Sequence, residues 1–164
     1  MWCTRLSRWR NRRWIAWRPP NWRIILRRIR GAKGRIVILD TCFLIDLQRE
    51  RRRGQSGGAH HFAEKHRAKQ SYLAAVAWGE FAEGFEEIDE KMLQGFKESF
   101  EILPIDDRVA WRYSRLVREL RPRGQLIGAN DLWIGATALT HGLSLVTRNV
   151  AEFRRIPGLD VIVY

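Results

Sequence analysis

Residues 35–47, RIVILDTCFLIDL, decide the fold. The run Ile36–Leu39 is aliphatic at every position, too continuous for a strand with one wet face. It predicts a parallel strand over Arg35–Leu39, buried on both sides. Asp40 ends the run. Apolar residues at 43, 44 and 47 then follow helical spacing, which predicts a helix over Thr41–Arg49. A buried strand passing directly into a helix, with an acid at the junction, is the repeating unit of an α/β sheet.

The alternation continues downstream. Residues 51–58 (RRRGQSGG) read as a loop and Ala59–Lys69 as a polar helix. Ser71–Ala77 (SYLAAVA) reads as a second strand, Trp78–Ile88 and Asp89–Phe100 as two helices, and Ile102–Ile105 as a third strand. Asp106 or Asp107 caps a helix to about Arg121, with Val109, Tyr113, Leu116, Val117 and Leu120 inward and Pro122 and Gly124 at its end. Asn130 is read as the N-cap of a helix over 131–141, and Gly142 as its C′ residue. Leu143–Thr147 is a fourth strand, 150–155 a short helical turn and Asp160–Val163 a fifth strand. The pattern predicts one three-layer α/β domain over residues 35–164, with a mainly parallel five-stranded sheet flanked by helices.

Charge divides the chain differently. Net charge is +12, but residues 1–35 hold 12 Lys/Arg and no acid, so residues 36–164 balance 18 basic residues against 18 acidic ones. Residues 1–34 interleave Arg and Trp and are broken by Pro19-Pro20, with one short amphipathic helix allowed over 22–30 and a Gly31–Gly34 linker. This segment reads as a disordered extension or as upstream DNA translated from a start codon set too early. The competing reading is an arm for RNA or a membrane surface. No apolar run approaches the roughly 18–20 residues of a membrane span. Arginines interrupt every candidate signal-peptide core. Cys3 and Cys42 make no disulfide framework, which points to a reducing, cytoplasmic location.

Ligands of open α/β sheets bind beyond the carboxyl ends of the strands. Asp40 ends the first strand, Glu80 lies three residues past the second in the first turn of its helix, and Asp131 opens a helix. Asn149 lies two residues past the fourth strand. Converging carboxylates repel unless a cation sits among them. Hard oxygen ligands without His or Cys favour Mg²⁺ or Mn²⁺, which suit phosphodiester hydrolysis. Each acid also has a plain structural role open to it, as turn, cap or helix-dipole partner. Thr41 and Thr147 bring hydroxyls to the same edge, to hold a water or phosphate or to close a turn. Arg148 is placed to grip a phosphate or to face solvent. Asp46 reads as a helix-face charge; Glu83, one turn from Glu80, reads as a solvated helix-face charge with the acidic cluster as its alternative, Arg51–Arg53 as a solvated charge run with RNA contact as the alternative, and the four histidines lack metal spacing. Trp78, Trp111 and Trp133 read as core or dimer-interface aromatics.

VILDTCFLIDL resembles the opening of a PIN domain, AVAWGEFAEG its second motif, and IGANDLWIGATALTHGLSLVTRNVAEFRRIPGL the third and fourth motifs of the VapC-like toxins. The resemblance covers residues 35–164. It implies a toxin ribonuclease in which Asp40, Glu80 and Asp131 hold Mg²⁺ for attack on an RNA phosphate. It further implies a cognate antitoxin, a homodimer and no membrane. Cys42 stands where the family usually has Asn. Asn149 stands where many members have a fourth acid, and Glu152 occupies the place of an acid three residues on, which leaves a second metal in doubt. The alternatives are a catalytically weak PIN module that binds an antitoxin and takes part in operon regulation, and a housekeeping PIN nuclease. A chain beginning at Lys33 should show the thermal midpoint and activity of the full chain. Loss of solubility or activity on truncation would make the extension part of the working protein.

Overall fold

The continuous aliphatic run after Ile36 becomes β1 (Val37–Leu39), buried at all three positions. The computed structural model describes residues 36–66, 71–84, 95 and 98–164. Within them follow α1 (Thr41–Arg52), α2 (Gly58–Lys65), β2 (Ser71–Ala74), α3 (Ala75–Glu83), β3 (Glu101–Leu103), α4 (Asp107–Leu120), α5 (Ala129–His141), β4 (Ser144–Val146), α6 (Val150–Phe153) and β5 (Val161–Ile162). The readings of residues 1–35, of the end of the second predicted helix at Lys69, and of most of 85–97 lie outside the described residues.

The strands form one parallel sheet in the order β3-β2-β1-β4-β5. Val37 pairs with Ser71 on one side and Ser144 on the other, so β1 is central. Alternate side chains of β1 enter opposite layers. Ile38 joins Leu145, Val109, Leu116, Leu120, Ile134 and Phe153 on one face. Val37 and Leu39 join Val146, Phe43, Leu44, Phe62 and Phe81 on the other. A sheet covered on both faces is why its central strand reads as an unbroken apolar run.

Several boundaries differ from the sequence expectation. SYLAAVA splits after Ala74, and Ala75–Ala77 enter α3, because the alanine-rich stretch AAVAWGEFAE favours helix. Glu80 therefore lies six residues past β2, in the second helical turn rather than the first. Helix α1 runs on to Arg52, its last turn carrying Arg49, Arg51 and Arg52, which suit the negative end of the helix dipole. Strand β3 stops at Leu103, before Pro104. Gly128, not Asn130, is the N-cap of α5, so Asn130 and Asp131 both sit in its first turn. Asp106 does cap α4, accepting from the Val109 amide at 2.9 Å, and Gly142 ends α5 at φ +64°.

Gly135 places α5 against the segment after α6. A Cβ there would run into Ile156 Cδ1, and Ile156 is itself buried, with little room to yield. Gly135→Val should cost about 1–3 kcal/mol by overpacking. Thermal unfolding should show a midpoint several degrees lower, and an unchanged midpoint would contradict this packing.

Candidate active site

In this strand order β1 and β4 are neighbours, while their onward connections lead to opposite sides of the sheet. The crevice at such a switch point is where open α/β sheets hold ligands. Asp40 and Thr147 leave the two strands here. The Asp40 amide extends the ladder by donating to the Val146 carbonyl at 3.0 Å. The Asp40 side chain is 3 % exposed, and a carboxylate so placed needs donors. Its Oδ1 accepts from the Thr41 amide at 2.7 Å. Its Oδ2 accepts from the Thr147 hydroxyl at 2.6 Å and the Cys42 thiol at 2.8 Å. Burial pushes the Asp40 carboxyl above the ordinary carboxylate range, these hydrogen bonds pull it back, and the Glu80 charge adds to the rise. Cys42 is pushed up to about 11 by burial and by Asp40, so it stays a thiol and serves as a donor.

Glu80 comes from α3 and is held at both oxygens. Thr41 Oγ1 donates to Oε2 at 2.6 Å, and Asn130 Nδ2 donates to Oε1 at 2.7 Å. Asp131, from the first turn of α5, accepts from Asn149 Nδ2 at 3.3 Å. Asn149 is anchored in turn by its own amide, which donates to Thr147 Oγ1 at 2.9 Å. The Asp131 carboxyl is raised from 3.8 to about 7, first by burial and then by the charges of Asp40, Glu80 and Glu152. Glu152 itself pairs with Arg155 at 3.2 Å. Thr41 and Thr147 thus orient carboxylates at the strand ends.

Arg148 is engaged rather than free: Nη1 lies 2.8 Å from Asp46 Oδ2. Asp46, read in sequence as a plain helix-face charge, also accepts from the Tyr164 hydroxyl at 2.9 Å, and its side chain is only 14 % exposed. Tyr164 packs edge-to-face on Phe43, centroids 4.9 Å apart, with its hydroxyl 3.7 Å from Cys42 Sγ. Asn130, Asp46 and Tyr164 are the residues that sequence reasoning missed. Only Asn130 left a signal, as a polar neighbour of Asp131 in a first helical turn.

Among the described residues, no three His, Cys, Asp or Glu side chains already converge as a metal cage. Glu80 is drawn toward Thr41 and Asn130, and Asp131 toward Asn149. The chemistry of the donor set nevertheless fits a hard divalent cation. Asp40, Glu80 and Asp131 offer carboxylate oxygens; Glu80 raises the cost of charging Asp40, and both raise it for Asp131, a deficit that a cation removes. Asn149 offers an amide oxygen without charge.

A parallel sheet with this switch point and this set of acids defines a class. The PIN-domain family model matches residues 37–159, and the chain belongs to that family. Its relatives include Ribonuclease VapC1 of Rickettsia felis, 31 % identical over 134 residues that span 77 % of this chain and 94 % of that protein. Ribonuclease VapC1 of Methanocaldococcus jannaschii is 34 % identical over 129 residues, 78 % of this chain and 86 % of that one. Among solved structures, DNA-bound VapBC from Salmonella typhimurium superposes with a TM-score of 0.66 at 25 % identity, covering 79 % of this chain and 98 % of that chain.

A carboxyl held near 7 binds its proton more tightly folded than unfolded. Through Asp131, metal-free stability should therefore fall as pH rises from 3.8 to about 7. Asp131→Asn should flatten that fall and raise the melting temperature at pH 8, by about 2–4 °C per kcal/mol relieved. The same substitution should remove most of the thermal stabilisation that Mg²⁺ gives the unaltered chain. Equal Mg²⁺ shifts in both proteins would take Asp131 out of the cation site.

Proposed function

We propose that this chain is a Mg²⁺- or Mn²⁺-dependent endoribonuclease and the toxin of a toxin–antitoxin pair. The carrying observation is that Asp40, Glu80 and Asp131, from three separate elements, are tied into one hydrogen-bond network through Thr41, Thr147 and Asn149, with Asn130 holding the far oxygen of Glu80. The names of the VapC relatives support RNA as substrate. A bound divalent cation would neutralise charge at the scissile phosphate and lower the pKa of a water for attack.

The chain's own residues supply the rest. Asp40, Glu80 and Asp131 would hold the cation, and Thr147 and Cys42 keep Asp40 aimed at the crevice. Glu152 adds negative field at Asp131, and Asn149 keeps that carboxylate turned inward. Arg148 is half-exposed beside Thr147. Asp46 fixes one end of its guanidinium, leaving the remaining N–H groups to meet a phosphate oxygen. An acidic crevice on an electrically balanced body attracts basic groups locally. An antitoxin arginine reaching toward Asp40, Glu80 or Asp131 would silence the site by displacing the cation. The toxin–antitoxin complexes among the solved neighbours support such a partner. A homodimer in the cytoplasm belongs to the same reading.

Cys42 and the uncharged Asn149 favour a second reading, a weakly catalytic module that binds an antitoxin and helps regulate its operon. One assay separates the two. The purified full chain should cut RNA with Mg²⁺ and not with EDTA. Asp40→Asn should lower the rate at least a hundredfold while the protein stays folded by circular dichroism. Metal-independent cutting, or full activity in that variant, would overturn the assignment. A folded chain that binds antitoxin but cuts no RNA would establish the second reading.

A further inference from the structure

Helix α4 presents a cationic and aromatic outer face that the candidate site does not use. Val109, Leu116 and Leu120 bury its inner side. Residues 108–123 carry six arginines against one acid, Glu119, in a body whose charges balance only over the whole of residues 36–164. Two of the six are locally paired, Arg108 with Asp106 at 2.9 Å and Arg123 with Glu119 at 3.4 Å. Arg112 and Arg115 are exposed and make no ion pair among the described residues. Trp111 is 63 % exposed, and the Arg118 guanidinium carbon lies 5.5 Å from its ring centre. By helical spacing Arg112, Arg115, Trp111 and Arg118 lie side by side on the outer surface.

The helix also runs alongside the one that carries Asp131. Tyr113 stacks on Trp133 at 3.9 Å, and Asp106 at the start of α4 feels the charge of His141 at the end of α5. The two helices are therefore antiparallel. Asp131 lies two residues before Trp133, and Arg115 two residues after Tyr113. At about 1.5 Å per residue the pair stands at the same height along the helices.

We infer that the outer face of α4, Trp111 with Arg112, Arg115 and Arg118, is a binding track for single-stranded RNA leading to the carboxylate crevice. The inference rests on the ribonuclease reading for its substrate and goes beyond it in placing that substrate outside the crevice. Guanidinium groups without carboxylate partners suit a chain of phosphates, and an exposed indole offers a base a stacking surface. A second copy of this chain fits poorly, because a two-fold contact would set the same arginines against each other.

The test is fluorescence anisotropy of a labelled twelve-nucleotide single-stranded RNA with the full chain in EDTA, over a series of salt concentrations. Arg115→Glu with Arg118→Glu should weaken binding by about tenfold or more, and lower the salt slope by about 0.7 for each phosphate no longer neutralised. Trp111→Ala should weaken it about tenfold. Arg53→Glu, an exposed charge at the end of α1, should leave it within about twofold as the control for net charge alone. If the double reversal does not fold, Arg115→Gln with Arg118→Gln carries the same expectation. Face variants that bind like Arg53→Glu overturn the track. So do face variants that keep RNA affinity but change oligomeric state, which would make the face a protein interface. Cleavage in Mg²⁺ is read separately. RNA binding through the face without cleavage by the unaltered chain removes the ribonuclease reading and keeps the track. Cleavage with unchanged KM in the face variants keeps the ribonuclease and removes the track.

Discussion

The hydrogen bond from the Thr147 hydroxyl to Asp40, 2.6 Å long, ties together two neighbouring strand ends that are 107 residues apart in the chain. It exists because Asp40 is almost fully enclosed, and a carboxylate without donors at that depth is too costly to keep charged. The fold answers with three donors from three sources: the first amide of α1, the hydroxyl after β4 and the thiol of Cys42. The Thr147 oxygen also accepts from the Asn149 amide, which sets the amide side chain that reaches Asp131. One hydroxyl therefore sets the positions of two acids, and the parallel pairing of β1 with β4 sets the position of the hydroxyl.

The charges are sorted by depth. Negative groups sit at the sheet edge, where burial and mutual repulsion lift Asp131 to about 7. Arg148, next to Thr147, is held against Asp46 on α1, and no cation lowers the Asp40 or Asp131 carboxyl. Unpaired guanidinium groups lie outside, on α4. A polyanion drawn to the outer cations would meet an acidic crevice that tolerates a phosphate only with a divalent cation present. Under the proposed reading, this separation would let a chain with no net charge over residues 36–164 attract RNA and a metal at once.

The parallel sheet was legible because both faces are covered, which leaves the central run VIL apolar at every position and pairs of aliphatic residues in the others. Asp40 was picked out by its place at the end of β1 and Asp131 by its place in the opening turn of α5; Glu80 was read in the first turn of its helix and stands in the second. The helix starts were read less well. Ala75–Ala77 suit strand or helix by apolarity, and alanine propensity decides for helix. Asn130 has cap chemistry, but Gly128 takes the turn and frees the amide to hold Glu80. Asp46 carried no sign of its role: its local partner Arg49 suits a plain helix-face charge, while Arg148 and Tyr164 lie more than 100 residues away and only the folded sheet edge brings them near.

The central claim is that Asp40, Glu80 and Asp131 form one divalent-cation site at the switch point. Anomalous diffraction at the manganese edge, from crystals of the full chain soaked in Mn²⁺, tests it most directly. The expected result is an anomalous peak within coordinating reach of the Asp40 and Asp131 carboxylates, with Glu80 turned toward it. A peak elsewhere on the surface, or none at saturating Mn²⁺, would contradict it.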